Sequence, residues 1–473
     1  MASIKDDLKS VVGNFSVAMI AQIVALGMSF LQSFLVPKLL DVEEFAYWQL
    51  FVFYASYTGF FTLGINDGIY LVLGGKTRDE IDKRSVESQF IVALAMQVVI
   101  CAVGIVYAFG FVEEQSRQYV LIATAAYLLL YNMSGFLGYF FQAMNETRLF
   151  SFSTMISKGL YLVPLACMLA LKITVFVPYV VLYVMVQGVA FVYCVFMARD
   201  VLRSKPYGAK RSIEESFASA KVGIILMLSN IASMLILGVL RFIVDEHWGI
   251  QVFGEVSFAL QLVSLFIVFG SQLAMVLFPA LRRIDSLKLA SIYTLIRKTL
   301  TLGLPAIYLF YFPVEMALSW WLPQYVASLH YLAILLPVCL FDCKMNLVGT
   351  TFFKVLRQER LLLLVNVLSV VASGVFVGVS VYVFDSLLAA MVCTVLVVCF
   401  RSTISEIALS KYFQSFHLRS LVAEIVLSVA YLVLIINVAN VLAAVLYSIL
   451  YCGYILINRK DVVSLITAMQ KRR

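Results

Sequence analysis

The stretch Gln89–Phe111, QFIVALAMQVVICAVGIVYAFGF, runs from end to end without a charged side chain. A helix of about 20 apolar residues crosses the ~30 Å hydrocarbon core of a bilayer. About fourteen stretches along the chain have this length and character, at roughly 12–36, 45–72, 89–111, 119–143, 150–171, 175–198, 218–242, 252–280, 293–318, 326–352, 361–384, 387–411, 419–438 and 440–458. Because lipid requires each backbone group to be bonded within its own segment, the pattern predicts an all-α, polytopic membrane protein with about 14 transmembrane helices.

Composition leaves little material for a soluble domain. The chain is 63% hydrophobic and 13% charged, whereas soluble domains are roughly 45–50% apolar and about 25% charged. The longest polar gap, 199–217, is too short for an appended nucleotide-binding or catalytic domain. The eight cysteines lie inside apolar segments and form no CxxC pair. We therefore expect no metal site, no disulfide framework and no cofactor.

The 35 Lys and Arg residues are concentrated on one side of the predicted membrane. Successive gaps between the predicted helices alternate between the two sides of the membrane. The gaps on the side away from the N-terminus contain three basic residues, Lys38, Arg117 and Lys172. This is the positive-inside bias, and it predicts that both termini are cytoplasmic. The basic residues therefore indicate membrane topology and argue against a nucleic-acid partner.

The basic gap 199–217 is predicted to link two six-helix lobes, 1–198 and 218–411. Because six is even, both lobes enter the membrane in the same orientation, which gives a parallel repeat known from transporters. Residues 412–473 fall outside the repeat and are predicted to form two extra helices, arranged as a hairpin, and a basic cytoplasmic tail.

Three prolines, Pro164, Pro305 and Pro337, fall inside apolar segments. Proline removes a backbone hydrogen bond and favours a kink. Such kinks are common packing adjustments in membrane helices. The alternative is that they bend during alternating access.

Basic side chains inside the apolar segments are the sharpest functional signal, since each costs roughly 2.5–3.5 kcal/mol at the bilayer centre. Lys158, Lys344 and Arg401 each lie roughly 12–15 Å from the cytoplasmic end of their helix. Three bases at one depth predict a phosphate-binding site in a cavity that opens to the cytoplasm. The alternative is that each base pairs with a carboxylate or snorkels to the interface. Arg241, at the outer end of its helix, is a further candidate substrate contact, and Arg297 is expected to snorkel.

Three carboxylates inside apolar segments, Asp67, Asp342 and Glu406, are candidates for a coupling-ion site. Asp342 lies close to Lys344 in sequence, and Glu406 follows Arg401 on the same predicted helix. Ion pairs are therefore the alternative for these two. For Asp67 the alternative is a polar residue at a helix end.

No catalytic motif emerges. Gly74-Gly75-Lys76-Thr77 matches the end of a P-loop motif. However, Tyr70 occupies the position of the first glycine of that motif, and a predicted membrane helix precedes the stretch where a P-loop follows a strand. No nucleophile elbow, zinc pair or dinucleotide fingerprint is present. We therefore expect that the protein is not an enzyme.

Four stretches carry a family resemblance: Leu63–Lys76 (LGINDGIYLVLGGK), Tyr139–Leu162, Trp321–Pro337 and Phe341–Arg360. They resemble the oligosaccharide flippases (Wzx-type polysaccharide transporters) of the multidrug/oligosaccharidyl-lipid/polysaccharide exporter superfamily. The resemblance covers nearly the whole chain. It implies two six-helix lobes in a V with two additional helices.

The resemblance also implies a function. Such a protein flips an undecaprenyl-diphosphate-linked oligosaccharide from the cytoplasmic to the outer leaflet of the bacterial inner membrane, for O-antigen, capsule or exopolysaccharide assembly. Implied partners are the lipid-linked oligosaccharide, membrane lipids, a polysaccharide polymerase with its chain-length machinery, and a coupling ion, H⁺ or Na⁺. The chain departs from the family at Val72, where members often carry a basic residue. Amides in the apolar segments would bind sugars or form interhelical hydrogen bonds: Asn14, Gln22, Gln32, Asn66, Gln142, Asn230, Gln261 and Gln272.

Other classes of protein fit less well. A multidrug or cation antiporter of the same superfamily needs cavity acids for cationic drugs, whereas basic residues dominate here and the first helix carries no acid. A membrane-bound glycan polymerase or ligase needs a large outer loop, and every predicted outer gap is short. A structural scaffold does not need buried charges.

Overall fold

A computed structural model of the chain describes residues 22–282, 286–413 and 418–463. Within these ranges the backbone forms helices and turns and no β-strand, so the predicted all-α class is confirmed. The predicted polar residue Asn14 and the basic C-terminal tail lie outside the described residues. The helices are numbered in chain order as α1 Gln22–Leu39, α2 Val42–Ser56, α3 Ile65–Leu73, α4 Lys83–Phe111, α5 Gln115–Ala143, α6 Thr147–Gly159, α7 Leu162–Ala170, α8 Phe176–Met197, α9 Ala209–Arg282, α10 Ser286–Gly303, α11 Ile307–Trp321, α12 Val326–Lys344, α13 Thr351–Val355, α14 Glu359–Tyr382, α15 Leu387–Phe413, α16 Leu418–Asn437 and α17 Asn440–Ile457.

Twelve stretches of helix in the described part of the chain are long and apolar enough to cross a membrane. Two features explain why fourteen are predicted. The predicted segment 45–72 is broken into α2 and α3, which have 15 and 9 residues. The segments at 218–242 and 252–280 are joined in α9, where Gly249 has non-helical backbone (φ 80°, ψ −174°) and separates two helical stretches. Glycine reaches this conformation because it has no Cβ.

Two of the three intramembrane prolines coincide with a break. α6 ends at Gly159 and α7 begins shortly before Pro164. A 3₁₀ turn, Leu304–Ala306, holds Pro305 between α10 and α11, whereas Pro337 lies inside α12. The break after Gly159 leaves Lys158 in the last turn of α6, where the helix dipole favours a cation.

The chain forms two compact units, an N-terminal unit up to Ile231 and a C-terminal unit from Ala232. Their border lies within α9, later than the predicted linker 199–217. The reason is that the first part of α9 and the residues before it pack against the N-terminal unit. Tyr207 donates a hydrogen bond to Asp82, which holds the pKa of that carboxyl below its usual range, and Ser85 donates to Glu215.

Small residues bring α3 and α9 into backbone contact inside the N-terminal unit. A Cβ added at Gly68 would lie 2.0 Å from the carbonyl oxygen of Ser219. A Cβ added at Gly223 would lie 2.1 Å from the carbonyl oxygen of Gly64. Gly68 on α3 and Gly64 just before it thus face Ser219 and Gly223 on α9, and small residues of this kind let membrane helices approach closely.

We expect Gly68→Ala to destabilise the protein by at least about 1–3 kcal/mol, the usual cost of overpacking. The obstacle is backbone, which cannot rotate away as a side chain can. Gly188→Ala on α8 is the matched control, because its Cβ would lie at an ordinary 3.7 Å from Leu130 Cδ1. Thermal unfolding of the purified proteins in detergent measures the difference. Equal melting temperatures for wild type and Gly68→Ala would contradict the close packing.

The two predicted C-terminal helices are α16 and α17, and they pack on the C-terminal unit through tyrosines. The rings of Tyr308 and Tyr431 are stacked with centroids 4.4 Å apart. The Tyr308 hydroxyl lies 2.7 Å from Ser428 Oγ, and the Tyr447 hydroxyl donates to the carbonyl oxygen of Pro305 at 3.1 Å. These contacts join the hairpin to α11 and to the turn between α10 and α11.

Candidate functional site

A cavity of about 290 Å³ lies inside the N-terminal unit, lined by α3, α5, α6 and α8. Ligand pockets are commonly roughly 300–1,000 Å³, so this cavity lies just below that range. Its wall combines one base, one acid, amides and phenols, among them Lys158, Asp67, Asn66, Gln187, Tyr131 and Tyr139.

The break between α2 and α3 forms part of this wall, and Gly64 there has a left-handed backbone (φ 81°). A broken membrane helix leaves carbonyl groups that need new partners. Asn132 Nδ2 donates to the carbonyl oxygen of Thr58 at 2.9 Å, and Gln97 Nε2 donates to that of Phe61 at 2.8 Å. Amides of α5 and α4 therefore stabilise the break.

After the break, the first turn of α3 brings Asn66 and Asp67 to the cavity. Asn66 Nδ2 donates to the carbonyl oxygen of Asn132 at 3.0 Å. Asp67 is 6% exposed and forms no ion pair with any residue that the structure describes. Asp67 therefore gives the cavity an acid with no base attached to it.

Lys158 is the base of the cavity, and its partner is a phenol. Its Nζ donates to Tyr183 Oη at 2.9 Å and lies 5.3 Å from the centroid of the Tyr183 ring. Within the described part of the chain, Lys158 has no carboxylate partner. An ammonium group has three donors, so donors remain for an anion in the cavity.

Lys344 has a very different environment, in the C-terminal unit. Its Nζ lies 2.5 Å from Glu406 Oε2 and 2.5 Å from Glu424 Oε2. Arg297 Nη1 donates to Glu406 Oε1 at 2.6 Å. None of the four residues is more than 4% exposed. Two cations and two anions thus form a charge-balanced cluster between α10, α12, α15 and α16. Arg297 was expected to snorkel to the interface, but it is buried in this cluster.

Arg401 is also paired, but with Asp342 rather than with Glu406. The Arg401 guanidinium donates to Asp342 Oδ1 at 2.8 Å, to Asn366 Oδ1 at 2.9 Å and to Ser233 Oγ at 2.7 Å. Arg401 is 2% exposed. The remaining predicted contact, Arg241, is half-buried on α9 in the C-terminal unit.

The predicted site residues thus separate into two groups. Lys158 and Asp67 line one cavity, whereas Lys344, Arg401, Asp342 and Glu406 occupy ion pairs in the C-terminal unit. For those four residues the structure matches the alternative of ion pairing. A phosphate at Lys344 or Arg401 would therefore have to displace a carboxylate. Roles of these four residues as substrate or coupling-ion contacts stay predictions.

Sequence reasoning missed most of the uncharged wall and one member of the charge cluster. Tyr131 and Tyr139 fall on one face of α5 at helical spacing, together with Gly135, and this spacing was the available signal. Glu424 was missed although it is a carboxylate inside an apolar segment. Of the amides predicted from sequence to supply polar groups, Asn66 lines this cavity.

Comparison with known proteins gives a family and a fold. The family model described as "Polysaccharide biosynthesis protein" matches residues 11–285. Among solved structures, the chain is similar to the lipid II flippase MurJ in an inward closed conformation, with a TM-score of 0.64 and 10% identity over 96% of this chain and 100% of that one. No match to this chain was found among curated proteins.

The chain is also similar to multidrug resistance MATE family transporters of the MOP superfamily. For an inward-facing structure the TM-score is 0.58, with 12% identity over 84% of this chain and 100% of that one. For an outward-facing structure the TM-score is 0.53, with 13% identity over 86% and 97%. At these identities the likeness establishes the fold.

Proposed function

The chain belongs to the polysaccharide biosynthesis protein family and has the fold of the MOP superfamily, and from that premise we propose that it flips an undecaprenyl-diphosphate-linked oligosaccharide. The movement is from the cytoplasmic to the outer leaflet of the bacterial inner membrane. It supplies O-antigen, capsule or exopolysaccharide assembly, with a polysaccharide polymerase and chain-length machinery as partners. Flipping breaks no covalent bond, so the proposal assigns no enzymatic activity.

The observation that carries the proposal is the polar cavity of the N-terminal unit. During flipping, the lipid tail stays in the bilayer while the diphosphate and sugars cross through a polar environment. Lys158 offers charged donors to a phosphate oxygen, and such charge-assisted hydrogen bonds are about twice as strong as neutral ones. The amides of Asn66 and Gln187 match sugar hydroxyls, which both donate and accept, and Tyr131 offers an apolar face.

Asp67 has two possible roles that belong to different functions. In the flippase it is the coupling-ion site, for H⁺ or Na⁺, because it is a carboxylate in the same cavity without a basic partner among the described residues. In a multidrug or cation antiporter the same carboxylate would bind the cationic drug. The presence of this acid is the observation that keeps the antiporter as a second candidate.

Deletion of the gene tests both functions in one strain. The flippase proposal expects loss of surface polysaccharide, restored by the wild-type gene on a plasmid, with drug susceptibility unchanged. Normal polysaccharide in a deletion strain that has no related transporter would exclude the flippase. Drug sensitivity combined with normal polysaccharide, reproduced by Asp67→Asn, would establish the antiporter instead.

The proposed orientation has a direct test. With both termini cytoplasmic, an alkaline phosphatase reporter fused within 199–217 is expected to be inactive, because this basic gap stays on the inner side. A reporter fused after Ser386, in the turn between α14 and α15, is the control and is expected to be active. Activity from the 199–217 fusion would reverse the orientation.

A further inference from the structure

A second cavity, of about 350 Å³, lies in the C-terminal unit between α10, α16 and α17. It lies at the end of the α16–α17 hairpin that is away from its turn, near the start of α16 and the end of α17. Its charged lining residues are Arg297, Lys298, Arg419 and Asp461. Three bases and one acid make this a basic pocket.

The charges of the pocket are only partly compensated. Glu406 pairs with Arg297 at 2.6 Å, and Asp461 pairs with Lys298 at 3.0 Å. Arg419, at the exposed rim, forms no ion pair with any residue that the structure describes. One positive charge therefore remains for an anion.

Arg297 forms the closed inner wall of the pocket, and its charge is already compensated. It is 1% exposed and pairs with Glu406. An anion in the pocket would therefore contact the rim, where the guanidinium of Arg419 is a donor that suits a phosphate oxygen.

The surface beside the pocket suits acyl chains. Val422, Val426, Val429 and Val433 follow one another along one face of α16, and each is about half exposed. The pocket thus adjoins an apolar helix face in a membrane-spanning hairpin. In the proposed orientation, with both termini cytoplasmic, the pocket lies at the cytoplasmic side, where basic pockets between membrane helices commonly bind anionic lipid headgroups.

We propose that this pocket binds the phosphate headgroup of an anionic phospholipid, with the acyl chains along the valine face of α16. The guanidinium of Arg419 and the ammonium of Lys298 contact the phosphate from the rim. This binding is separate from the cavity of the N-terminal unit and does not depend on the flippase proposal.

The test measures binding of dioctanoyl phosphatidylglycerol to the purified full-length protein in detergent, by native mass spectrometry. We expect it to bind more tightly than dioctanoyl phosphatidylcholine. Arg419→Gln and Lys298→Gln should each weaken binding about tenfold, the effect of one lost charge-assisted hydrogen bond. Arg459→Gln is the control, because it removes one exposed charge nearby without changing the lining.

Asp461→Asn separates anion binding from a purely structural role. It breaks the same Lys298–Asp461 pair as Lys298→Gln does, but it removes a negative charge. Phosphatidylglycerol should therefore bind Asp461→Asn at least as tightly as wild type. Weakening by Asp461→Asn equal to that by Lys298→Gln would overturn the proposal.

Other outcomes are equally decisive. Equal binding of the two phospholipids, or variants indistinguishable from Arg459→Gln, would overturn an anionic headgroup site. A polyprenyl diphosphate that binds where phosphatidylglycerol does not would assign the pocket to another lipid and also overturn it. If Arg419→Gln fails to fold, Arg419→Lys keeps the charge and is expected to retain binding within a few-fold, whereas loss of binding there would contradict a charge-based contact.

Discussion

Lys158→Gln is expected to abolish export of the polysaccharide while the protein still inserts in the membrane. Glutamine replaces the charged ammonium by a neutral amide. This removes a charge-assisted hydrogen bond worth roughly 1.5–3 kcal/mol, so diphosphate binding weakens about ten- to a hundredfold. Lys158→Arg should retain part of the activity, because the charge remains although its geometry changes. The measurement is surface polysaccharide in the deletion strain, at matched levels of membrane-inserted protein.

Two further variants define what this result means. Lys172→Gln removes an exposed lysine of the same unit that does not line the cavity, and should leave export unchanged. Tyr183→Phe removes the hydroxyl partner of Lys158 but keeps the ring beneath it, so we expect a smaller loss than from Lys158→Gln. Normal export from Lys158→Gln would exclude Lys158 as a diphosphate contact.

Lys344→Gln should act through folding. It leaves Glu406 and Glu424 in a buried site with Arg297 as the remaining cation of the cluster. Removing one partner of a buried ion pair costs about 3–5 kcal/mol, because an uncompensated charge stays buried. We therefore expect a strongly lowered unfolding temperature in detergent and little protein in the membrane.

The double variant Lys344→Gln with Glu424→Gln restores the charge balance and should recover much of the lost stability. A double variant no more stable than Lys344→Gln alone would contradict the cluster. Export by the restored protein supports a structural role for Lys344. A double variant that regains stability but does not export would instead support Lys344 as a phosphate contact, as its depth in the predicted membrane helix suggests.

The apolar pattern was sufficient to predict an all-α membrane protein, because hydropathy and segment length determine which stretches cross a bilayer. It was not sufficient to predict the break in the segment 45–72. That break depends on left-handed backbone at Gly64 and on Asn132 and Gln97, whose amides come from other helices. A hydropathy window averages over the glycine and contains neither amide.

Charge within apolar segments singled out Lys158 and Asp67 as separate candidates, and the structure places both at one cavity. The same signal gave equal weight to Lys344, which is held by two carboxylates. The position of a residue along a predicted helix gives its depth in the membrane. Its partners depend instead on how each helix is rotated and on which helix lies beside it. Glu424 belongs to a segment that looked like an appendage, so its pairing with Lys344 became visible only in the folded C-terminal unit.

The position of Glu424 in the chain also bears on the order of assembly. Translation proceeds from the N-terminus, so Lys344 and Arg297 leave the ribosome well before the carboxylate of α16 exists. Until then Glu406 is the single anion of the cluster for two cations. Insertion of α16 neutralises this excess, and a protein shortened after α15 would keep it permanently. Insertion of α16 is thus the step of biogenesis that completes this charge cluster.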